Sequence, residues 1–160
     1  VDVEDASNGV KWLADEGLID PNKVAIRGGS AGGYTTLAAL AFQNVFKAGA
    51  SYFGISDLGV LAGDTHKFES RYLDQLIGPY PEMKSVYEQR SPINSVDKIT
   101  APLLLLQGLD DKVVPPNQSE LIFNALKENC IDTAYIPFAG EGHGFRQPAN
   151  NIKALKEIDL

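Results

Sequence analysis

Cysteine and histidine are scarce in this chain of 160 residues. There is one cysteine, Cys130, so no disulfide can form within the sequence. The only two histidines, His66 and His143, lie far apart and outside any H-E-x-x-H pattern. A zinc site would lack ligands. We therefore expect no metal and no cofactor.

Basic clusters and long apolar runs are also absent. The formal net charge is -7 and no Lys/Arg cluster offsets it, which argues against nucleic acid or an anionic membrane as partner. The longest apolar run, around Leu103 to Leu106, is shorter than the roughly 20 residues that a membrane helix needs. The first residues include Asp2 and Glu4, unlike a secretory signal. With the single cysteine, these features favour a cytoplasmic location.

The most informative segment that is present is GGSAGG at residues 28–33. It follows a short apolar run with strand character, residues 24–26, and precedes residues 34–42, which have helix character. A serine at a strand-to-helix turn, with glycine two residues before and after it, is typical of a nucleophile elbow. Ser30 is therefore the candidate nucleophile.

Other interpretations of these glycines fit less well. A phosphate-binding loop needs Lys and then Ser or Thr after its last glycine, where this chain has Tyr34 and Thr35. A dinucleotide loop needs glycine at its third position, which is Ser30 here. The remaining alternative is that Ser30 only caps the following helix.

Strands and helices alternate along most of the sequence. Strands are predicted at residues 24–26, 47–53, 103–106 and 133–138, and helices over the first 14 residues and at residues 34–42, 116–129 and 152–160. Such alternation predicts an α/β fold with a parallel sheet. Between residues 54 and 100 the alternation stops. We expect this excursion, of short helical pieces, to lie over the carboxyl ends of the strands. Both ends of the sequence resemble helix interiors, which indicates a fragment of a longer protein.

A serine nucleophile needs a base, usually a histidine oriented by a carboxylate. His143 follows the last predicted strand in a glycine-rich loop, whereas His66 has the surroundings of a solvated surface residue. The acid should follow the preceding strand, where Asp110 and Asp111 are adjacent. The pattern does not choose between them. The backbone N–H of Ala31, directly after the nucleophile, is the expected first oxyanion donor.

Three segments together resemble the prolyl oligopeptidase family of serine peptidases, in its dipeptidyl aminopeptidase and acylaminoacyl-peptidase branch. They are GGSAGGY at 28–34, QGLDDKVVP at 107–115 and EGHGF at 141–145, with VFKAG at 45–49 and ESRYL at 69–73 in support. In that family the acid is the third residue after the glycine of the second segment. The resemblance therefore implies Asp111 rather than Asp110. Gln107 stands where the family often has histidine.

The resemblance also implies an architecture. Residues 1–160 would form the C-terminal half of an α/β-hydrolase catalytic domain, with its earlier strands, the second oxyanion donor and an N-terminal β-propeller elsewhere in the protein. By position, Ile55, Leu58 and Val114 resemble residues that line the family's specificity pocket. Each could equally be ordinary core.

The predicted function is hydrolysis of short peptides through an acyl-enzyme, carried by Ser30, Asp111 and His143. Two alternatives stay open: an esterase on the same fold, and a non-catalytic binding module that retains the triad. Without the earlier strands, the strand at 24–26 would be an open apolar edge. We therefore expect association, as in a homo-oligomer, or partial unfolding, and weak or no activity from these residues alone.

Overall fold

The computed structural model describes residues 1–64 and 72–158 of the chain. Four strands form one parallel sheet in the order β1-β2-β3-β4. The strands are β1 (Ala25–Gly29), β2 (Ala48–Tyr52), β3 (Leu103–Gly108) and β4 (Thr133–Phe138). The helices are α1 (Asp2–Asp15), α2 (Ala31–Phe42), α3 (Leu58–Asp64), α4 (Tyr72–Leu76), α5 (Lys84–Arg90), α6 (Asn117–Glu128), α7 (Pro148–Ile158) and a 3₁₀ helix, Pro92–Lys98. The α/β class and the parallel sheet are as predicted.

The unbroken leucine run of β3 is explained by cover on both faces of the sheet. Successive side chains of a strand point to opposite faces. Leu103 and Leu105 belong to the larger core with residues of α2, α6 and the 3₁₀ helix. Leu106 belongs to a second cluster with Phe138 of β4 and Ala154 of α7. Each fully buried leucine contributes about 1.5–3 kcal/mol, and β3 supplies such side chains to both clusters.

The amphipathic pattern of α1 explains how that helix packs. Val3, Ala6 and Val10 recur at helical spacing and pack against the larger core, while the acidic residues between them are exposed. The helix contacts α2. Its burial pattern is the one that the sequence predicts.

Several element boundaries differ from the predicted ones, and the largest differences are at the end of β1 and at the starts of α2 and α7. β1 continues past Ile26 to Gly29, because Gly28 and Gly29 pair with Ser51 and Tyr52 of β2. α2 begins at Ala31 instead of residue 34, and α7 begins at Pro148 instead of residue 152. Because glycine weakens strand and helix propensity locally, the sequence pattern predicts elements that stop at the glycines. Pairing with β2 is a tertiary interaction, and it extends β1 through them.

The segment between β2 and β3 holds short helices, as predicted, and hydrogen bonds tie it to α6. Gln118, fully buried in the first turn of α6, accepts hydrogen bonds from the backbone N–H groups of Ser56 and Asp57 through Oε1, both at 2.9 Å. Its Nε2 donates to the Asp57 carbonyl at 3.1 Å. The start of this segment is thereby fixed beside the carboxyl ends of β2 and β3.

None of the helices among residues 1–64 and 72–158 combines the length and apolar character needed to cross a membrane.

Candidate active site

Ser30 occupies a sharp turn between β1 and α2. Its backbone angles are φ 57° and ψ -118°, a region that costs a non-glycine residue about 1–3 kcal/mol. Two backbone hydrogen bonds hold it: Ser30 N–H donates to the Tyr52 carbonyl at 3.0 Å, and Tyr34 N–H donates to the Ser30 carbonyl at 2.9 Å. Although Ser30 stands at the N-cap position, its side chain makes no capping hydrogen bond. Its hydroxyl is directed to another partner.

The glycines around Ser30 permit a close approach of strand and helix. A Cβ atom at Gly28 would overlap the backbone of Gly32, including its carbonyl oxygen. A side chain at position 28 would therefore push the first turn of α2 away from β1. Glycine at position 28 is therefore required by this contact.

His143 bridges Ser30 and Asp111. The imidazole Nε2 lies 2.8 Å from Ser30 Oγ, and Nδ1 lies 2.8 Å from Asp111 Oδ2. Because an ionised carboxylate only accepts hydrogen bonds, Nδ1 carries the proton in this arrangement. Nε2 is then free to accept the hydroxyl proton of Ser30. Residues that follow three different strands thus form one chain of hydrogen bonds.

The two adjacent aspartates have different surroundings. The Asp111 side chain is fully buried, and its Oδ1 accepts the backbone N–H groups of Val113 and Val114, both at 2.9 Å. Asp110 is exposed. The structure therefore brings Asp111, and not Asp110, to His143.

Ala31 is the first residue of α2. Its backbone N–H is one of the four that a helix leaves without an intrahelical acceptor, and the residue is exposed. An oxyanion beside Ser30 would meet a donor here.

The predicted pocket residues differ in exposure. Leu58 is 4% exposed and Val114 is 2% exposed, so little of either side chain is available to a ligand in this chain. Ile55 is half-buried. Their role in binding stays a prediction. His66, Glu69 and Arg71 lie outside the described residues.

Phe53 is a site residue that sequence reasoning missed. It directly follows β2 and has φ 38°, unusual for an aromatic residue. Its ring centroid lies 4.8 Å from that of His143 and 5.6 Å from that of Phe145. A Cβ at Gly29 would come within 3.0 Å of this ring. No sequence signal marked this role, because the apolar run 47–53 placed Phe53 inside the predicted strand.

Two buried polar residues were also missed. Gln107 donates through Nε2 to the Val114 carbonyl at 3.1 Å and accepts from Ser119 Oγ at 2.8 Å, which supports the loop of Asp111. Glu141, 2% exposed, accepts three hydrogen bonds close to His143. The Arg146 N–H is the largest of the influences that lower the pKa of the Glu141 carboxyl. Their places in the sequence gave no indication of these contacts.

Among the residues that the structure describes, no three His, Cys, Asp or Glu side chains come together as a metal site would require. The chemistry that this arrangement can support is acyl transfer to a serine hydroxyl.

Three known proteins are similar to this chain over nearly its whole length. Dipeptidyl aminopeptidase BIII of Pseudoxanthomonas mexicana is 34% identical over 161 residues, which are 97% of this chain and 23% of that protein. Acylamino-acid-releasing enzyme 1 of Oryza sativa subsp. japonica is 28% identical over 169 residues, covering 99% of this chain and 22% of that protein. The solved structure of a Mycobacterium tuberculosis puromycin-hydrolyzing peptidase matches with a TM-score of 0.96 and 53% identity, over 98% of this chain and 24% of that chain.

The chain thus spans less than a quarter of the length of each of these relatives. The sequence profile of the Prolyl oligopeptidase family matches residues 1–159. With a match over nearly its whole length, this chain belongs to the prolyl oligopeptidase family.

Proposed function

We propose that this chain carries the catalytic triad of a serine peptidase, with Ser30 as nucleophile, His143 as general base and Asp111 as its orienting acid. The observation that carries the proposal is the hydrogen-bond chain from Asp111 Oδ2 through the imidazole to Ser30 Oγ, with both contacts at 2.8 Å. An activated serine needs this order of partners.

The reaction follows from the direction of those hydrogen bonds. Ser30 Oγ attacks the carbonyl carbon of a peptide while His143 Nε2 takes the hydroxyl proton. The Ala31 N–H stabilises the negative oxygen of the tetrahedral intermediate. His143 then donates the proton to the leaving amine, the C–N bond breaks, and an ester remains on Ser30. Water, deprotonated by His143, hydrolyses that ester and restores the hydroxyl.

The substrates we propose are short peptides or aminoacyl amides, of the dipeptidyl-peptidase or acylaminoacyl-peptidase type. This choice is supported by the relatives' names, which include a puromycin-hydrolyzing peptidase at 53% identity. Puromycin, an aminoacyl amide, is therefore a suitable assay substrate. Ile55, Leu58 and Val114 are proposed to line the pocket for the residue before the cleaved bond.

We further propose that residues 1–160 are the C-terminal half of an α/β-hydrolase domain in a longer protein. The support is the coverage of the relatives, of which this chain spans 22% to 24%. The earlier strands, the second oxyanion donor and a β-propeller would lie in the remainder. The cytoplasmic location and a homo-oligomer stay predictions.

The test is labelling of the full-length protein by a fluorescent phosphonate, with hydrolysis of puromycin and of peptide substrates measured beside it. We expect wild type and Ser85→Ala, a change at an exposed serine, to be labelled and active. Ser30→Ala should fold and show neither property. A folded wild-type protein that is not labelled would contradict the proposal and favour the non-catalytic binding module. Ester hydrolysis without peptide hydrolysis would favour the esterase.

A further inference from the structure

The loop that carries His143 is rich in glycine, so it has few side chains that could fix its conformation. This histidine loop, residues 140–147, connects β4 to α7. Gly140, Gly142 and Gly144 surround His143, and Gly140 and Gly144 have φ of 73° and 111°. Glycine loses more conformational freedom on ordering than any other residue. The position of the imidazole must therefore be fixed by contacts outside the glycines.

One fixed point is the carboxylate of Glu141, two residues before His143. Its Oε2 accepts the backbone N–H of Arg146 at 2.8 Å, and its Oε1 accepts the backbone N–H of Gln147 at 3.0 Å. Oε1 also accepts Asn150 Nδ2 at 2.8 Å. One side chain thus joins the start of the loop to its end and to the first turn of α7.

The backbone of Glu141 makes a second connection, to the loop that carries Asp111. The Glu141 carbonyl accepts the N–H of Asp110 at 2.9 Å. A Cβ at Gly108 would overlap the carbonyl oxygens of Glu141 and Gly142, so the two loops are in direct backbone contact. Glu141 therefore links the loop of the base to the loop of the acid.

A buried carboxylate is costly unless its oxygens are hydrogen-bonded. Here both oxygens of Glu141 have donors, and hydrogen bonds to a charged acceptor are roughly twice as strong as neutral ones. The lowered pKa of this carboxyl, caused mainly by the Arg146 N–H and then by Asn150, agrees with a permanently charged acceptor at neutral pH. The carboxylate thus anchors a stretch of backbone that itself contacts the acid loop, so a shift of this backbone would reach both His143 and Asp111.

We propose that Glu141 is a positioning residue that holds His143 between Asp111 and Ser30. The inference rests on the proposed function, since it concerns the general base of that reaction. A displacement of about 1 Å at a reacting group can reduce the rate about 10²-fold. Loss of the carboxylate should therefore slow the chemical step and leave substrate binding largely unchanged.

The test uses the full-length protein with Glu141→Ala, Glu141→Gln and Asn150→Ala, and with Glu128→Gln as a control that removes an exposed carboxylate. For each protein, the rate constant of phosphonate inactivation, kcat, KM and the thermal midpoint are measured. Assays are run well below the lowest midpoint, so that only folded protein is compared.

We expect Glu141→Ala to lower kcat and the inactivation rate by about 10²-fold, with KM changed by less than about threefold. Glu141→Gln, which keeps one acceptor oxygen, should recover part of the loss, and Asn150→Ala should show a smaller loss. Glu128→Gln should match wild type. If Glu141→Ala does not fold, Glu141→Gln and Asn150→Ala decide the question in the same way.

The inference is overturned if folded Glu141→Gln and Asn150→Ala react at the wild-type rate, because the carboxylate would then serve α7 alone. A fall in thermal midpoint with unchanged kcat would have the same meaning. An unlabelled wild-type protein would instead contradict the proposed function, so the two failures are distinguishable.

Discussion

At the scale of single residues, the site depends on unusual backbone conformations directly after strands. Ser30 and Phe53 both have positive φ without being glycine, and their side chains both contact His143. The sequence pattern around residue 30 predicted the first, because glycines flank the serine at fixed spacing. It could not predict the second, since the contact of Phe53 with His143 joins residues 90 positions apart in the sequence and no local pattern marks it.

For Phe53 we predict that two substitutions lower activity alike but differ in their effect on stability. Phe53→Ala and Phe53→Gly both remove the ring that packs against His143, so both should lower kcat. At a positive φ, glycine is unstrained and alanine is not, so Phe53→Gly should be more stable than Phe53→Ala by about 1 kcal/mol. Thermal midpoints of the two variants measure this difference. A more stable alanine variant would show that the left-handed conformation is not maintained.

At the scale of elements, the sequence predicted which segments form strands and helices better than where they end. β4 has the predicted bounds, Thr133–Phe138. β1 and α2 are longer than predicted because tertiary pairing and packing extend them through glycines. The contacts of the segment between β2 and β3 with α6 were not predictable, because they depend on a buried glutamine whose partners lie about 60 residues away.

That glutamine gives a prediction for the segment it holds. Gln118→Ala leaves the N–H groups of Ser56 and Asp57 without their acceptor, which costs about 1–3 kcal/mol for each buried donor. Because Ile55 and Leu58 flank these residues, we expect KM to rise more than kcat falls. Thermal midpoints and steady-state kinetics check this, with Asn129→Ala, which removes an exposed hydrogen bond in the last turn of α6, as the control. Unchanged KM in a destabilised variant would contradict it.

At the scale of the whole molecule, the sheet positions the site. The Ser30, Asp111 and His143 turns follow β1, β3 and β4, and parallel strands bring their carboxyl ends to one edge. The class of fold and the candidates Ser30 and His143 could be predicted from the order of elements and from motifs at their ends, whereas the choice of Asp111 over Asp110 came from the family resemblance. The supporting contacts of Gln107 and Glu141 could not, because burial is a property of the assembled loops.

The position of β1 at the edge of the sheet leads to a prediction for residues 1–160 expressed alone. An edge strand offers unpaired backbone groups to other chains, and Trp12 of α1 is 59% exposed. We expect the isolated chain to self-associate and to react with a phosphonate far more slowly than the full-length protein. Light scattering with size exclusion, and labelling rates, measure both properties. An isolated chain that is monomeric and as reactive as the full-length protein would refute this expectation.

The most direct measurement for the central claim compares two adjacent carboxylates in the full-length protein. Asp111→Asn removes the acceptor of the imidazole Nδ1–H and should lower kcat by about 10⁴-fold, as expected for loss of the orienting acid. Asp110→Asn, one residue away and exposed, should retain activity within about threefold. Equal, small effects of both substitutions on kcat would contradict the triad of Ser30, His143 and Asp111.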